Sequence, residues 1–301
     1  MKIHKQIEIR EHNAPIYSVV GEGFDIYTSS GDKFVVRWNL RDGTQEPFSI
    51  KMDFASYCLV YHNSILFIGS SKGELYVVVP SEKKILAQRK VAENAIHALL
   101  VSKQHIIVGT ADGKLLFLDK NTLATLKEMP FNCGKIRAIQ PLDEQRIVLA
   151  TQDGYIRILL TETFEIEHQF SGHEKGVNKT LVFDNKLFTV GKDGYLRIWN
   201  WQEETQLNAL PIHYETIYDI QQVGAYIVTA SRDKSIKIWQ YNGALTLVQK
   251  LMSKQLGHSH SVNALHVIDD KNFCSVSDDK RIIWWTMEDE EINLLHLLTE
   301  Q

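Results

Sequence analysis

The sequence is poor in the residues that hold small secreted or metal-binding proteins together. Its three cysteines, Cys58, Cys133 and Cys274, are odd in number and widely spaced over 301 residues. This spacing contains neither a disulfide framework nor a CxxC metal motif, so we expect reduced thiols that pack as small hydrophobic side chains. Proline and glycine are sparse, and no linker or low-complexity tract interrupts the chain.

Long apolar runs and an excess of positive charge are missing as well. No stretch approaches the length of a membrane-spanning helix, and the first residues, "MKIHKQIEIREH", alternate apolar and charged positions, unlike a secretory signal. The net charge of -4 and the pI near 6.3 create no global field that attracts phosphate backbones. We expect a cytoplasmic protein with no membrane partner and no nucleic-acid partner.

The sequence does contain a short motif in seven copies. The copies are "SGDKFVVRW", "SKGELYVVV", "ADGKLLFLD", "QDGYIRILL", "KDGYLRIWN", "RDKSIKIWQ" and "DDKRIIWWT". Their turn positions are Asp32, Lys72, Asp112, Asp153, Asp193, Asp233 and Asp279, which gives spacings of 40, 40, 41, 40, 40 and 46 residues. A period near 40 over the whole chain indicates a solenoid or a propeller.

Each repeat has the pattern of about four short strands. An alternating run such as "IYDIQQV" precedes "AYIVTAS", the turn and "SIKIW", and a more polar run such as "TQLNAL" completes the unit. No segment between the copies carries a helical period of useful length. Four strands per repeat is the make-up of one propeller blade.

These motifs resemble the WD40-repeat family over essentially the entire chain. The resemblance implies an all-β, seven-bladed β-propeller of four-stranded antiparallel blades. It also implies a network in which a His, a Ser or Thr, an Asp and a Trp hydrogen-bond within one blade. The matching residues are His12, Thr28, Asp32 and Trp38; His173, Thr189, Asp193 and Trp199; His213, Thr229, Asp233 and Trp239; and His258, Ser275, Asp279 and Trp285. The dipeptide WD that names the family is absent; Trp-Asn, Trp-Gln or Trp-Thr takes its place.

Three repeats lack the network, and they lose its members together. The His positions hold Met52, Ala92 and Asn132, the Ser or Thr positions hold Ile68, Val108 and Leu149, and the Trp positions hold Val78, Leu118 and Leu159. A buried polar group without its partner costs about 1 to 3 kcal/mol, so a partial network is worse than none. We expect these blades to be packed by apolar side chains.

We expect one domain over residues 1–301. Its blades fall approximately at residues 12–51, 52–91, 92–131, 132–172, 173–212, 213–257 and 258–287. The last blade lacks an outer strand, and the N-terminal residues 3–10 are expected to supply it and close the ring. The segment "INLLHLL" near the C-terminus is then surplus and is either an added edge strand or a short helix.

The sequence predicts no catalytic, cofactor or metal site. It contains no G-x-S-x-G motif, no P-loop and no Rossmann fingerprint. His258 and His260 could suggest a metal site, but the network already uses His258 and no further ligand stands at a suitable spacing. An enzyme with a site assembled across blades and a nucleic-acid-binding propeller remain the alternatives to an interaction protein.

One column of the repeats carries the residues that we expect to bind a partner. Directly after the first apolar residue of each inner strand stand Tyr17, Tyr57, His97, Arg137, Asn178, Tyr218 and Asn263, although the neighbouring columns are apolar or small. The family resemblance places this column around the mouth of the central channel, where it contacts peptides; a merely hydrated rim is the alternative. Lys135, Lys175, Lys192 and Arg232 extend Arg137 into a basic sector, which suits an acidic or phosphorylated peptide.

From these features we expect a monomeric, non-catalytic interaction scaffold that binds a protein or peptide. In the next column, Lys179 and Asp219 replace the small residues of the other blades. We expect these two to form an ion pair between neighbouring blades.

Overall fold

The computed structural model describes residues 1–253 and 257–288. The described residues form seven four-stranded antiparallel sheets, which confirms the expected seven-bladed, all-β propeller. Blade one contains β2 (Ile16–Glu22), β3 (Asp25–Ser30), β4 (Phe34–Asn39) and β5 (Thr44–Lys51). Blade two contains β6 (Ser56–His62), β7 (Ile65–Ser70), β8 (Glu74–Val79) and β9 (Lys84–Lys90), with a 3-10 turn at Pro80–Glu82. Blade three contains β10 (Ile96–Val101), β11 (His105–Thr110), β12 (Lys114–Asp119) and β13 (Thr125–Pro130).

The other blades repeat this order. Blade four contains β14 (Ile136–Pro141), β15 (Arg146–Thr151), β16 (Tyr155–Leu160) and β17 (Ile166–Ser171). Blade five contains β18 (Val177–Phe183), β19 (Lys186–Gly191), β20 (Tyr195–Asn200) and β21 (Thr205–Pro211). Blade six contains β22 (Ile217–Val223), β23 (Tyr226–Ser231), β24 (Ile236–Tyr241) and β25 (Leu245–Leu251). Blade seven contains β26 (Val262–Val267), β27 (Asn272–Ser277), β28 (Ile282–Glu288) and the N-terminal strand β1 (Lys2–Ile9).

The first strand of the chain closes the ring. β1 runs antiparallel to β28, with Lys2 opposite Glu288 and Ile9 opposite Ile282. The prediction of closure by the N-terminal strand is therefore confirmed. The segment "INLLHLL", for which a strand or a helix was expected, lies outside the described residues. Within the described ranges, no helix has the length and apolar character needed to cross a membrane.

Apolar side chains fill the seven spaces between neighbouring blades. Between blades four and five, for example, Phe170 packs against Trp199 with ring centroids 5.0 Å apart, beside Ile156 and Leu187. Between blades seven and one, Trp38 and Ile26 are buried with Val276. Each blade therefore buries its two faces against two neighbours, and closing the ring leaves no blade with a bare face.

The structure brings the members of each of the four predicted networks together. In blade seven, His258 Nε2 lies 2.8 Å from Ser275 Oγ, His258 Nδ1 lies 3.0 Å from Asp279 Oδ1, and Trp285 donates to Ser275 Oγ at 2.8 Å. The corresponding His-to-hydroxyl distances are 2.8 Å in blade one, 2.9 Å in blade five and 2.9 Å in blade six. Each network spans the second strand, the third strand and the turn, so it fixes the turn relative to the sheet.

Burial keeps the imidazole of His258 neutral and thereby sets the direction of the bonds in the blade-seven network. Burial lowers the pKa of His258, and the hydrogen bond from His258 helps to hold the pKa of Asp279 far below its usual range despite the opposing effect of burial. A neutral imidazole carries one proton, and the carboxylate can only accept. His258 Nδ1 therefore donates to Asp279, the Ser275 hydroxyl donates to Nε2, and the Trp285 N–H donates to the Ser275 oxygen.

Apolar side chains take the positions of the network residues in blades two to four, but the residue predicted at the His position of blade four is wrong. Met52, Ile68 and Val78 pack in one cluster with Tyr76. Blade four differs, because Asn132 is exposed with a φ of 50° and does not occupy the His position. The next residue, Cys133, is buried there against Leu149 and Leu159. The predicted residue at the His position of blade four was therefore one residue too early in the chain, because a left-handed turn is not visible in the spacing of the repeats alone.

The turn aspartate of blade four has a partner that the sequence did not reveal. Arg157 is buried, and its guanidinium donates to Asp153 at 2.6 Å and to Thr151 at 2.7 Å. An arginine from its own blade therefore replaces the histidine as the partner of Asp153, which also accepts the backbone N–H of Tyr155.

The residue after each turn position adopts a left-handed backbone. Glycine holds it in four blades, as at Gly154 with a φ of 90°, and lysine holds it in three, as at Lys234 with a φ of 70°. A Cβ atom at Gly154 would overlap the carbonyl oxygen of His173, so a side chain is excluded there by contact as well as by φ.

The Ser or Thr position of the network can be changed in two opposite ways, and we expect each change to destabilise its own blade. One variant removes the hydroxyl from a complete network, and the other adds a hydroxyl to an apolar blade. Ser275→Ala removes the acceptor of Trp285 and the donor to His258. Because each orphaned group costs about 1 to 3 kcal/mol, the variant should lose about 2 to 6 kcal/mol of unfolding free energy. Val108→Thr places a hydroxyl in the apolar cluster of blade three, where Leu116 and Leu118 offer no partner, and should cost at least about 1 kcal/mol. Urea denaturation measures both losses.

Exposed Ser81→Ala is the matched control and should change the unfolding free energy by less than about 0.5 kcal/mol. Equal midpoints for Ser275→Ala and Ser81→Ala would show that the blade-seven network contributes nothing to stability.

Candidate functional site: the channel mouth

The seven residues of the predicted ring line a single cavity at one end of the central channel. Its volume is about 240 Å³, and the layer below the ring consists of Ser18, Cys58, Ala98, Ala138, Lys179, Asp219 and Ala264. The inner strand of each blade begins at this end, and the pairing of Ile16 with Ser30 places the Asp turn of blade one beside it. The column found in the sequence thus becomes a ring because each blade contributes one residue at the same height. We call this cavity and its ring the channel mouth.

Aromatic side chains form one side of the channel mouth. The rings of Tyr17 and Tyr57 meet edge to face at 5.3 Å, and the rings of Tyr57 and His97 stack at 5.1 Å with an interplanar angle of 11°. Tyr57 remains 36% exposed. Burial, with a contribution from Lys135 and Arg137, lowers the pKa of His97 to about 4, so this imidazole is neutral at pH 7. Blades one to three therefore present an uncharged, accessible aromatic surface.

The two asparagines of the ring connect blades. Asn178 donates to the carbonyl oxygen of Ile217 at 2.7 Å, and Asn263 donates to the carbonyl oxygen of Ile16 at 2.8 Å and to Asp278 at 2.7 Å. Asn178 Oδ1 is buried and finds no hydrogen-bond partner in the part of the chain that the structure describes. These amides stabilise contacts between neighbouring blades, and the Asn178 oxygen remains an unused acceptor beside the mouth.

The structure divides the predicted basic sector into two parts. Burial lowers the pKa of Lys192, and the charges of Arg137 and Lys135 add to that effect, so Lys192 lies close enough to these two cations to be repelled by them. Arg137 Nε is buried and has no hydrogen-bond partner among the described residues. Arg232 instead pairs with Glu215 at 3.1 Å, and Lys175 is exposed in the loop before β18. Lys135, Arg137 and Lys192 are therefore the part of the sector that the structure brings together.

The predicted ion pair between Lys179 and Asp219 is not formed as a direct contact among the described residues. Asp219 accepts hydrogen bonds from the backbone N–H groups of Ile220 and Leu265, each at 2.9 Å. Burial raises the pKa of Asp219, and Lys179 opposes this from a longer range. The carboxylate therefore joins blade six to blade seven through Leu265, a role that the substitution pattern did not reveal.

One accessible aromatic residue on the same face was missed. Tyr214 is 88% exposed, and the ammonium groups of Lys237 and Lys250 lie 5.9 Å and 5.7 Å from its ring centroid. The residues that follow the other three network histidines are Asn13, Glu174 and Ser259, so an aromatic at this position was the available signal.

The hydrogen-bonded network of blade seven accounts for His258, one of the two histidines that could have suggested a metal site. His258 bonds to Asp279 and Ser275, whereas His260 is exposed. In the part of the chain that the structure describes, no group of three His, Cys, Asp or Glu side chains is arranged to hold a metal ion.

Three segments of the chain match a known family. Residues 164–200, 204–240 and 249–286 match the WD domain, G-beta repeat. Each segment ends one residue after the tryptophan of a complete network, at Trp199, Trp239 or Trp285. The chain contains WD40 repeats. The match covers the tryptophan strands of blades five, six and seven, and it omits blade one, which also keeps the network, as well as the three blades that replaced it.

This WD40 chain is similar to parts of larger proteins. It is 22% identical over 233 residues to F-box/WD repeat-containing protein 9 of Bos taurus, covering 76% of this chain and 50% of that protein. It is 23% identical over 221 residues to apoptotic protease-activating factor 1 of Rattus norvegicus, covering 68% and 17%. It is 26% identical over 155 residues to telomerase protein component 1 of Mus musculus, covering 48% and 6%. The chain thus spans about half the length of the F-box relative and much less of the other two.

We expect His97 to contribute to the loss of stability at acid pH. Its pKa is about 4 in the folded state and 6.5 in an unfolded reference, so between these values the unfolded chain binds the proton. The stability linked to this group is complete above pH 6.5 and is lost as the pH falls toward 4. His97→Phe keeps an aromatic ring but cannot titrate, so its thermal midpoint should fall less between pH 7 and pH 4.5 than that of the wild type.

His62→Phe, which changes a half-exposed histidine at the β6–β7 turn at the other end of the inner strands, is the matched control for the pH profile of His97→Phe. Identical pH profiles for the wild type and His97→Phe would contradict the burial of a neutral His97.

Proposed function

We propose that this WD40 protein is a non-catalytic interaction scaffold that binds a protein or peptide partner at the channel mouth. WD40 propellers are generally protein-interaction scaffolds, and this chain shares their fold and repeat. The observation that carries the proposal is an exposed Tyr57 in an aromatic stack, together with two buried polar atoms, Arg137 Nε and Asn178 Oδ1, for which the described ranges offer no hydrogen-bond partner. Tyrosine and arginine dominate the energetics of protein interfaces, and buried polar atoms without partners favour a ligand that satisfies them.

We propose further that the partner is acidic or phosphorylated at the point where it meets this site. The whole chain has a net charge of -4, yet Lys135, Arg137 and Lys192 lie together at the mouth. Concentrating like charges costs free energy, and an anionic ligand reverses that cost. Arginine also offers a carboxylate or phosphate two parallel N–H donors.

The other parts of the proposal follow from the sequence. We propose that the protein acts in the cytoplasm, is monomeric by itself and requires no cofactor. The open, ring-like site offers a surface for a chain of residues, in keeping with a peptide partner.

The experiment that tests the binding site uses peptides selected on the purified protein. A random peptide library is panned on the wild-type chain, and the dissociation constants of the enriched peptides are measured. The triple variant Tyr57→Ala, Arg137→Ala, Tyr218→Ala should weaken their binding at least about tenfold, because it removes an exposed stack, a guanidinium and an adjacent ring. Acidic residues should be enriched among the selected peptides.

The control is the triple variant His62→Ala, Lys103→Ala, Lys271→Ala, which changes the turns at the other end of the inner strands. Both triple variants must unfold at the same temperature as the wild type. Selected peptides that bind the mouth variant and the control equally well would place the binding site elsewhere.

A further inference from the structure

Lys179 lies directly below the ring of the channel mouth. The equivalent residues of the other blades are Ser18, Cys58, Ala98, Ala138, Asp219 and Ala264, so Lys179 is the single cation of this layer. Lys179 lines both the mouth cavity and the adjoining cavity further down the channel, so its side chain extends into the channel. Among the described residues it forms no hydrogen bond and no direct ion pair.

The nearby carboxylates are engaged elsewhere. Both oxygens of Asp219 accept backbone N–H groups, from Ile220 and Leu265, and burial raises the pKa of this carboxyl group. Asp278 accepts from Asn263 at 2.7 Å. Glu215 pairs with Arg232 at 3.1 Å. The positive charge at the channel mouth is therefore not cancelled by direct contact with any of these three acids.

Arg137 at the rim and Lys179 below it both line the narrow cavity, and two more cations, Lys135 and Lys192, stand beside Arg137. Burial lowers the pKa of Lys192 and of neighbouring His97, and the charges of Arg137 and Lys135 lower both further. Lys179 lies one residue further along β18 than the ring residue Asn178, in the blade next to that of Arg137. Holding these charges together without an anion is unfavourable in a partly desolvated site.

We propose that the channel mouth takes up one anionic side chain of the partner, a carboxylate or a phosphate, between Arg137 at the rim and Lys179 in the layer below. This inference rests on the proposed function and identifies the chemical group of the partner that the site recognises. The guanidinium of Arg137 supplies two directed donors, and the ammonium of Lys179 supplies a third from below. Lys135 and Lys192 attract the anion over a longer range.

The dimensions of the cavity favour a single side chain. A volume of about 240 Å³ is large enough for one extended side chain and too small for a helix or a hairpin. The small side chains of Cys58, Ala98 and Ala138 leave the approach to Lys179 open. The residues of the partner that flank the anionic side chain would rest on Tyr17, Tyr57 and His97, so the ring supplies affinity and Lys179 supplies the preference for negative charge.

The test measures charge preference with defined peptide pools. Seven-residue pools contain Glu, phosphoserine, Gln or Lys at the centre and random residues other than Asp and Glu at the flanks. Binding of each pool to the purified full-length chain is measured by fluorescence anisotropy. We expect the wild type to bind the Glu or the phosphoserine pool at least about tenfold more tightly than the Gln pool, since one anion meets two cations. The stronger of the two anionic pools identifies the carboxylate or the phosphate as the ligand.

Lys179→Met should reduce this preference about tenfold and leave the affinity for the Gln pool unchanged. Lys271→Met removes one exposed lysine at the other end of the channel and should keep the full preference. Lys179→Met also removes the positive charge that acts on the buried carboxyl group of Asp219. The double variant Lys179→Met, Asp219→Asn removes both charges and therefore provides a second measurement of the preference without an uncompensated carboxylate. Full preference for the anionic pools in both Lys179 variants would overturn the inference.

The ring variant separates this inference from the proposed function. In one outcome, the triple variant Tyr57→Ala, Arg137→Ala, Tyr218→Ala binds none of the peptide pools while Lys179→Met still prefers the anionic pools. In that case the proposed binding site is correct and the proposed role of Lys179 is wrong. If the ring variant binds every pool as the wild type does, both proposals fail. A twelve-residue thymidine oligonucleotide that binds more tightly than the anionic peptide pools would also overturn the inference, in favour of a nucleic-acid ligand.

Discussion

Packing between neighbouring blades is the constraint on which the rest of this structure depends. Each blade is a single sheet with two faces, and it can bury both only against the blades on either side. Seven such contacts require a closed ring, and the ring closes through the pairing of β1 with β28. The order of the chain around the channel, the alignment of the inner strands and the common height of the mouth residues all follow from that closure.

The structure satisfies this constraint in two chemically different ways. Blades one, five, six and seven bury a complete hydrogen-bonded network, whereas blades two and three fill the same positions with apolar side chains. Blade four is intermediate, since Leu149 and Leu159 are apolar while Arg157 has taken over the turn aspartate. What unites the seven blades is that the buried donors of the network positions have partners or are absent, which is the condition that a low-dielectric interior imposes.

The same geometry makes the channel mouth a distinctive surface. The repeat places seven equivalent positions in a ring, but the chain fills them unequally, with aromatic residues in blades one to three and with Arg137 in blade four. Two of the seven, Asn178 and Asn263, connect blades and so limit how far the ring can change without loss of stability. An asymmetric ring can distinguish the orientation of a bound peptide, which a uniform ring cannot.

The sequence by itself determined the number of blades, the strands of each blade, the four networks and the column that lines the mouth. It could do so because these features recur with a fixed period, so residues at the same point of each repeat occupy equivalent positions in the blades. It did not determine that Cys133 rather than Asn132 is buried, that Arg157 holds Asp153, or that Asp219 bonds to Leu265 instead of Lys179. These contacts depend on the direction of single side chains and on loop conformations between blades. Only the tertiary structure sets them, because residues far apart in the sequence compete there for the same partner.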